Sequence, residues 1–109
     1  MEVSFDEWEK LDIRVGKILK VEDIEGADKL YKFTVDIGKE KRTLVAGLKN
    51  HYKAEELLGK QVVVLANLEK KKLKGIESQG MILAAGSKED DICILISPEK
   101  QVSPGTRIS

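Results

Sequence analysis

Tyr31, Phe33, Val35 and Ile37 alternate with polar residues without a break. In an extended chain successive side chains point to opposite faces, so this run makes a strand with one dry face and one wet one. A helix would scatter the same residues around its axis. The period-two pattern recurs at Leu11, Ile13 and Val15, and Ile18, Leu19 and Val21 follow Gly16. A glycine inside a strand pattern predicts a bulge or sharp bend at Gly16. Gly38-Lys39-Glu40-Lys41 reads as a turn, and residues 42–46 return as the second strand of a hairpin. Gly47 breaks that strand. Three further apolar runs, 61–66, 81–85 and 92–96, are strand-length, and a polar loop separates the last two.

Helical signals are confined to two short places. Ser4-Phe5-Asp6-Glu7 matches a capping box, with Phe5 and Trp8 on one face of the turn that follows. Ala54 to Leu58 forms a second short helix, with Gly59 where a C-terminal stop is expected. The tally is at least six short strands with one helix in the middle. That order predicts an all-β chain, a five-stranded Greek-key OB-fold barrel with a short helix between strands 3 and 4 and with N- and C-terminal extensions. A chain of 109 residues is too short for two independent cores, so one domain spans 1–109. Its helix covers about 4–10, the barrel about 11–96 and the C-terminal extension 97–109. Pro98 and Pro104 limit the tail to short or edge segments.

The charges add a second constraint. Lys plus Arg and Asp plus Glu both number 19, so the formal net charge is zero. The distribution is uneven. Residues 1–40 carry seven basic and eleven acidic side chains, residues 41–79 nine and four, and residues 80–109 three and four. A neutral protein thus has a basic middle third. Screening acts over about 8 Å at physiological salt, so that patch attracts anions whatever the distant acids do. No segment approaches the roughly 20 apolar residues of a membrane helix. The first residues lack the basic and apolar regions of a secretory signal. Cys93, the single cysteine, has no partner for an intrachain disulfide, and a reducing cytoplasm is the expected location.

Catalytic and metal constellations are missing from the pattern. His51, the sole histidine, belongs to no visible triad, and Cys93 lies within an apolar strand. There is no C-x-x-C, His pair or calcium loop, so no metal or other cofactor is expected. Residues 75–80, Gly-Ile-Glu-Ser-Gln-Gly, have the glycine spacing of a P-loop but are followed by Met81 and Ile82 instead of Lys and Ser/Thr. The strongest local signal is Asn67-Leu68-Glu69-Lys70-Lys71-Lys72-Leu73-Lys74. In an extended segment Lys70, Lys72 and Lys74 point to one side, with Leu68 among them. Four lysines within five positions suit phosphates. Ser78, Gln79 and Met81 follow with a hydroxyl, an amide and a thioether that can engage exposed bases or ribose. With only five aromatic residues and no stacking motif, binding by shape and phosphate is favoured over stacking of many bases.

Several motifs then occur in fixed order. They are Asp12-Ile13-Arg14-Val15-Gly16-Lys17-Ile18, Ala27-Asp28-Lys29-Leu30-Tyr31, Val35-Asp36-Ile37-Gly38 and Arg42-Thr43-Leu44-Val45-Ala46-Gly47-Leu48. After them come Glu55-Glu56-Leu57-Leu58-Gly59-Lys60, Ala66-Asn67-Leu68 and Gly75-Ile76-Glu77-Ser78-Gln79-Gly80-Met81. This series resembles the tRNA-binding domain at the C-terminus of methionyl-tRNA synthetases, the free-standing structure-specific tRNA-binding proteins and the endothelial-monocyte-activating polypeptide. The resemblance implies an OB-fold that binds tRNA without strong sequence preference. It also implies a homodimer, and a non-catalytic β subunit or detached domain that raises the tRNA affinity of a synthetase catalytic subunit during aminoacylation. Position by position, it places Asn67, Lys70, Lys71, Lys72, Lys74, Ser78, Gln79 and Met81 on the RNA face, with Arg42 and Lys29 beside them. A two-fold partner would cover the apolar termini around Phe5, Trp8 and Ile108. Two other functions stay open, an assembly module of a synthetase complex and a general single-stranded nucleic-acid binder. The chain departs from the family pattern at Glu25-Gly26, at Glu69-Lys70 and at Ala46, which leaves loop shapes open.

Overall fold

The computed structural model describes residues 1–109. Its elements run α1 (Phe5–Glu9), β1 (Ile13–Ile24), β2 (Ala27–Asp36), β3 (Lys41–Ala46), α2 (Ala54–Leu57), β4 (Gln61–Leu65), β5 (Lys71–Leu73), β6 (Ile76–Ser78), β7 (Met81–Ile82), β8 (Ala84–Ser87) and β9 (Ile92–Leu95). The fold is all-β and OB-like, with α2 between β3 and β4 as the pattern predicts. Five strands form one sheet in the order β3-β2-β1-β4-β7, while β5–β6 and β8–β9 are separate hairpins.

The alternation in β2 has its predicted effect. Tyr31, Phe33, Val35 and Ile37 are buried, and with Ile18, Leu44, Leu57, Val62 and Val64 they build the core. Tyr31 meets Phe33 edge-on, with ring centroids 5.8 Å apart at 78°, a favoured aromatic geometry. Its hydroxyl donates to the Tyr52 carbonyl at 2.9 Å, and the Tyr52 hydroxyl in turn accepts from Leu95 N at 3.2 Å. Two tyrosines therefore tie the turn after β3 to β9.

Gly16 differs from its predicted role. It pairs in register with Val62, and the irregularities in β1 fall between Ile18 and Lys20 and between Asp23 and Ile24. What Gly16 provides is closeness, since a Cβ there would stand 2.6 Å from Val35 Cγ1. Its lack of a side chain lets two strands pack near contact.

The expected closed barrel is not a closed ladder, because the five-stranded sheet leaves β3 and β7 as its two ends. Side-chain and main-chain bonds from β3 to Ser78 and Gln79, just before β7, bridge the gap. Ser78 Oγ accepts from Val45 N at 3.0 Å, Gln79 Oε1 accepts from Thr43 N at 2.9 Å, and Gln79 N donates to Thr43 O at 2.8 Å. The hydroxyl and the amide take the places that main-chain carbonyls hold in a regular ladder. Arg42 closes the same end. It is opposite Val35 on the core-facing side of β3, and its guanidinium donates to the Ala66 and Gln79 carbonyls.

The C-terminal tail is fastened to β1. Val15 N donates to Thr106 O at 2.9 Å, Gly105 N to Val15 O at 2.7 Å, and Ile108 N to Ile13 O at 2.8 Å. The tail so occupies the part of β1 that β2 leaves free. The capping box at α1 forms as read, with Ser4 Oγ accepting from Glu7 N and the Glu7 carboxylate accepting from Ser4 N. The helix buries none of its residues. Polar clamps hold it instead, with Arg107 donating to the Glu9 and Leu11 carbonyls, both at 3.2 Å. Nearby, the hydrogen bond from Arg14 holds the Asp12 carboxyl below the usual carboxylate range, with Arg107 and Arg42 acting in the same direction.

Candidate nucleic-acid interface

The lysine segment folds back on itself as the β5–β6 hairpin. Lys71 pairs with Ser78, Lys72 with Glu77 and Leu73 with Ile76. Lys74 and Gly75 form the two-residue turn, with φ of 52° and 80°. Both central residues in the left-handed region is the pattern of a type I′ turn, whose twist matches a hairpin and whose second position favours glycine. Opposite pairs share a face, so Leu73 and Ile76 lie together. They pack with Leu30 on a second small cluster of Ile24, Ala27 and Val45. The other face carries Lys72 and Glu77, and Lys70 Nζ lies 3.6 Å from Glu77 Oε1. Lys74 belongs to the turn, so it projects from the tip and not from the same strand face as Lys70 and Lys72.

The electrostatics sort the lysines. Lys20, Lys32, Lys49 and Lys70 each have a carboxylate within 4.0 Å, whereas Lys71, Lys72 and Lys74 have none. Three uncompensated ammonium groups therefore sit on one exposed hairpin. None is buried, so each is free to exchange its counterions for phosphates.

The other expected residues fall into two groups. Exposed ones add to the surface: Met81 is 44% exposed while its neighbour Ile82 is 8%, so the thioether faces out of the sheet. Lys29 is also exposed on β2. The rest are engaged in holding the fold. Ser78 is 5% exposed, and its hydroxyl both accepts from Val45 N and donates to Gly80 O at 3.1 Å. Asn67 accepts from Asp12 N at 2.9 Å and donates to Lys10 O at 2.6 Å, pinning the segment after α1 to the end of β4. Arg42 is paired with Glu40 at 2.7 Å besides its two carbonyls. A cavity of about 380 Å³ opens beside it, lined by Arg42, Asn67, Lys70 and Gln79 among others. Ser78 is shut off from solvent, while the half-buried Arg42 and the exposed Asn67 hold the fold through their hydrogen bonds and also line this cavity. The sequence pattern missed the hairpin, although glycine directly after Lys74 between two short alternating runs is its signal. It also missed Lys49, which stands 6.0 Å over the Tyr31 ring.

Comparisons with known proteins bear on this surface. The family model described as "Putative tRNA binding domain" matches residues 13–107. A methionine–tRNA ligase from Pyrococcus horikoshii is 57% identical over 106 residues, which is 97% of this chain and 14% of the ligase. The chain thus spans about one-seventh of that relative's length. A solved structure of a MetRS-related protein from the same organism superposes with a TM-score of 0.91 at 39% identity, covering 100% of both chains. The chaperone CsaA of Bacillus anthracis shares the fold with a TM-score of 0.89 at 24% identity, again over 100% of both chains. With the family model matching residues 13–107, the chain belongs to the tRNA-binding domain family.

Proposed function

We propose that the chain binds tRNA through its shape and phosphates, with little sequence preference, and raises the tRNA affinity of a methionyl-tRNA synthetase as a non-catalytic subunit or domain. The observation that carries this reading is the β5–β6 hairpin with Lys71, Lys72 and Lys74 free of carboxylate partners. Phosphate contacts position an RNA without reading its bases. The 57% identity to a methionine–tRNA ligase supports a synthetase as the protein whose tRNA is delivered. A salt titration of tRNA binding tests it. About four phosphate contacts predict a log–log slope near −3; no tRNA affinity at low salt would refute the reading.

The reading includes a homodimer. Phe5 is 83% exposed and lines, with Val3, Trp8 and Leu11, an apolar depression of about 480 Å³. Trp8 and Leu11 also border a second depression with Ile108. Such a face on a charged chain fits a second copy related by a two-fold axis. Sedimentation at micromolar concentration should give twice the chain mass, and Phe5→Ser with Trp8→Ser should halve it. A wild-type monomer would exclude the dimer. The same apolar face favours one other reading, docking on a synthetase with little RNA contact. Co-purification without tRNA binding would mark that case. The free Cys93 and the lack of any helix long and apolar enough to cross a membrane are compatible with the cytoplasm as the site of action.

A further inference from the structure

One cavity outside the lysine hairpin carries chemistry that phosphate binding leaves unused. It has a volume of about 510 Å³, within the range of small-ligand sites, and lies between the turn after β3 and the β8–β9 hairpin. Gly47, His51, Ser87, Lys88, Asp91 and Ile92 are among its lining residues. Its position is tied to the RNA-facing hairpin through β3. Val45 N bonds to Ser78 at the base of that hairpin, and Gly47 borders the cavity further along the same strand direction. The turn at Leu48–Tyr52 has Lys49 on the side of Lys29, whose carbonyl accepts from Lys49 N, and His51 on the cavity side.

Two groups are placed for recognition. The His51 side chain is only 23% exposed and forms part of the wall, with Nε2 3.6 Å from Asp91 Oδ1. Asp91 has φ of 52°, a left-handed conformation that aspartate tolerates better than most residues. Its side chain is 92% exposed, so the carboxylate retains free acceptor capacity at the cavity rim. Lys88 supplies a cation on the same loop.

We propose that this cavity takes one unpaired guanosine of the bound RNA, its base lying on the His51 ring and Ile92, its Watson–Crick edge on Asp91, and its phosphate near Lys88. A carboxylate only accepts hydrogen bonds. Guanine presents two adjacent donors on that edge, N1–H and an N2 amino hydrogen. Adenine sets one donor beside one acceptor, cytosine one donor beside two acceptors, and uracil flanks its single donor with acceptors. The acceptor-only group therefore selects guanine, and histidine is a common platform for a splayed base. The proposal rests on the tRNA-binding reading and adds a base-selective subsite to a phosphate-binding surface.

Four RNA hairpins that differ only in a single 3′ overhanging nucleotide, G, A, C or U, test it with the full chain. The G overhang should bind about tenfold tighter than the others, and the His51 ring resonances should shift when it binds. Asp91→Asn keeps the backbone conformation, since asparagine also adopts positive φ, but replaces one acceptor with a donor; it should abolish the preference. Lys72→Ala should weaken all four equally. Equal binding of the four, or a preference that survives Asp91→Asn, overturns the subsite. If tRNA binds in a lysine-dependent way while the His51 resonances stay fixed at saturation, the subsite alone fails. If neither tRNA nor any hairpin binds, the tRNA-binding reading fails with it.

Discussion

Replacing Lys71 and Lys72 with Ala and Lys74 with Asn should weaken tRNA binding roughly 100-fold at low salt while leaving thermal unfolding unchanged. The magnitude follows from about 1 kcal/mol of net interaction for each lysine with phosphate. The log–log salt slope should become shallower by roughly 2 to 3, since each lost phosphate contact removes about one unit. The choice of Asn at position 74 comes from the turn. Lys74 sits at φ 52° beside Gly75, and an Asn-Gly pair is the favoured occupant of that turn. Lysine already bears the cost of that left-handed conformation, which asparagine tolerates better, so the charge is lost without loosening the hairpin. The packing of Leu73 and Ile76 on Ile24, Ala27 and Val45 is untouched by the three substitutions, so the hairpin stays in place. Filter binding and a melting curve on the same preparation give the result. Unchanged affinity in a folded variant would remove the hairpin from the interface.

The difference between the sheet and the hairpin explains how much was legible in the sequence. Tyr31, Phe33, Val35 and Ile37 are each decided by one local fact, which side of a pleat they occupy, and a period of two reports it. The positions of α1 and α2 follow from caps and glycines within a few residues. The lysine segment needs more. Its alternation reads as one extended strand until Lys74-Gly75 is recognised as a turn, and the contact that seats the hairpin, Leu73 and Ile76 against Ile24, Ala27 and Val45, is long-range. Asn67, Arg42 and Ser78 illustrate a further limit. Asn67 and Ser78 flank the lysine run, and the family resemblance adds Arg42, so all three are expected as ligand-facing groups. Their partners, Asp12 N and Lys10 O, the carbonyls of Ala66 and Gln79, and Val45 N, lie at least 24 residues away in the chain. Local pattern cannot reveal such a donor or acceptor. What the structure adds is that each of these residues also makes hydrogen bonds that hold the fold.

Ser78→Ala should therefore act on stability and not on recognition, with a loss of about 2 kcal/mol. The hydroxyl is buried and bridges Val45 N to Gly80 O. Alanine fits the space but leaves the Val45 N–H without an acceptor where water cannot replace it, a penalty of about 1–3 kcal/mol. For a domain of this size that lowers the melting temperature by roughly 8–16 °C. Gln79→Ala removes a comparable bond, from Thr43 N to Oε1. Gln79 is only half-buried, so water can take over part of that bond and the cost should stay under about 1 kcal/mol. The ranking of the two variants tests the seam itself, because exposure and not bond length sets the order. In Ser78→Ala the Val45 amide should also exchange with solvent faster, as the closure between β3 and the β6–β7 connection loosens. At a temperature where the variant stays folded, its tRNA affinity should lie within about twofold of wild type, less than about 0.4 kcal/mol. An unchanged melting temperature with a tenfold weaker complex would reverse the assignment and make the hydroxyl an RNA contact. If the stability loss appears with binding retained, the basic surface and the seam beneath it are separable. The lysines can then be altered without opening the fold.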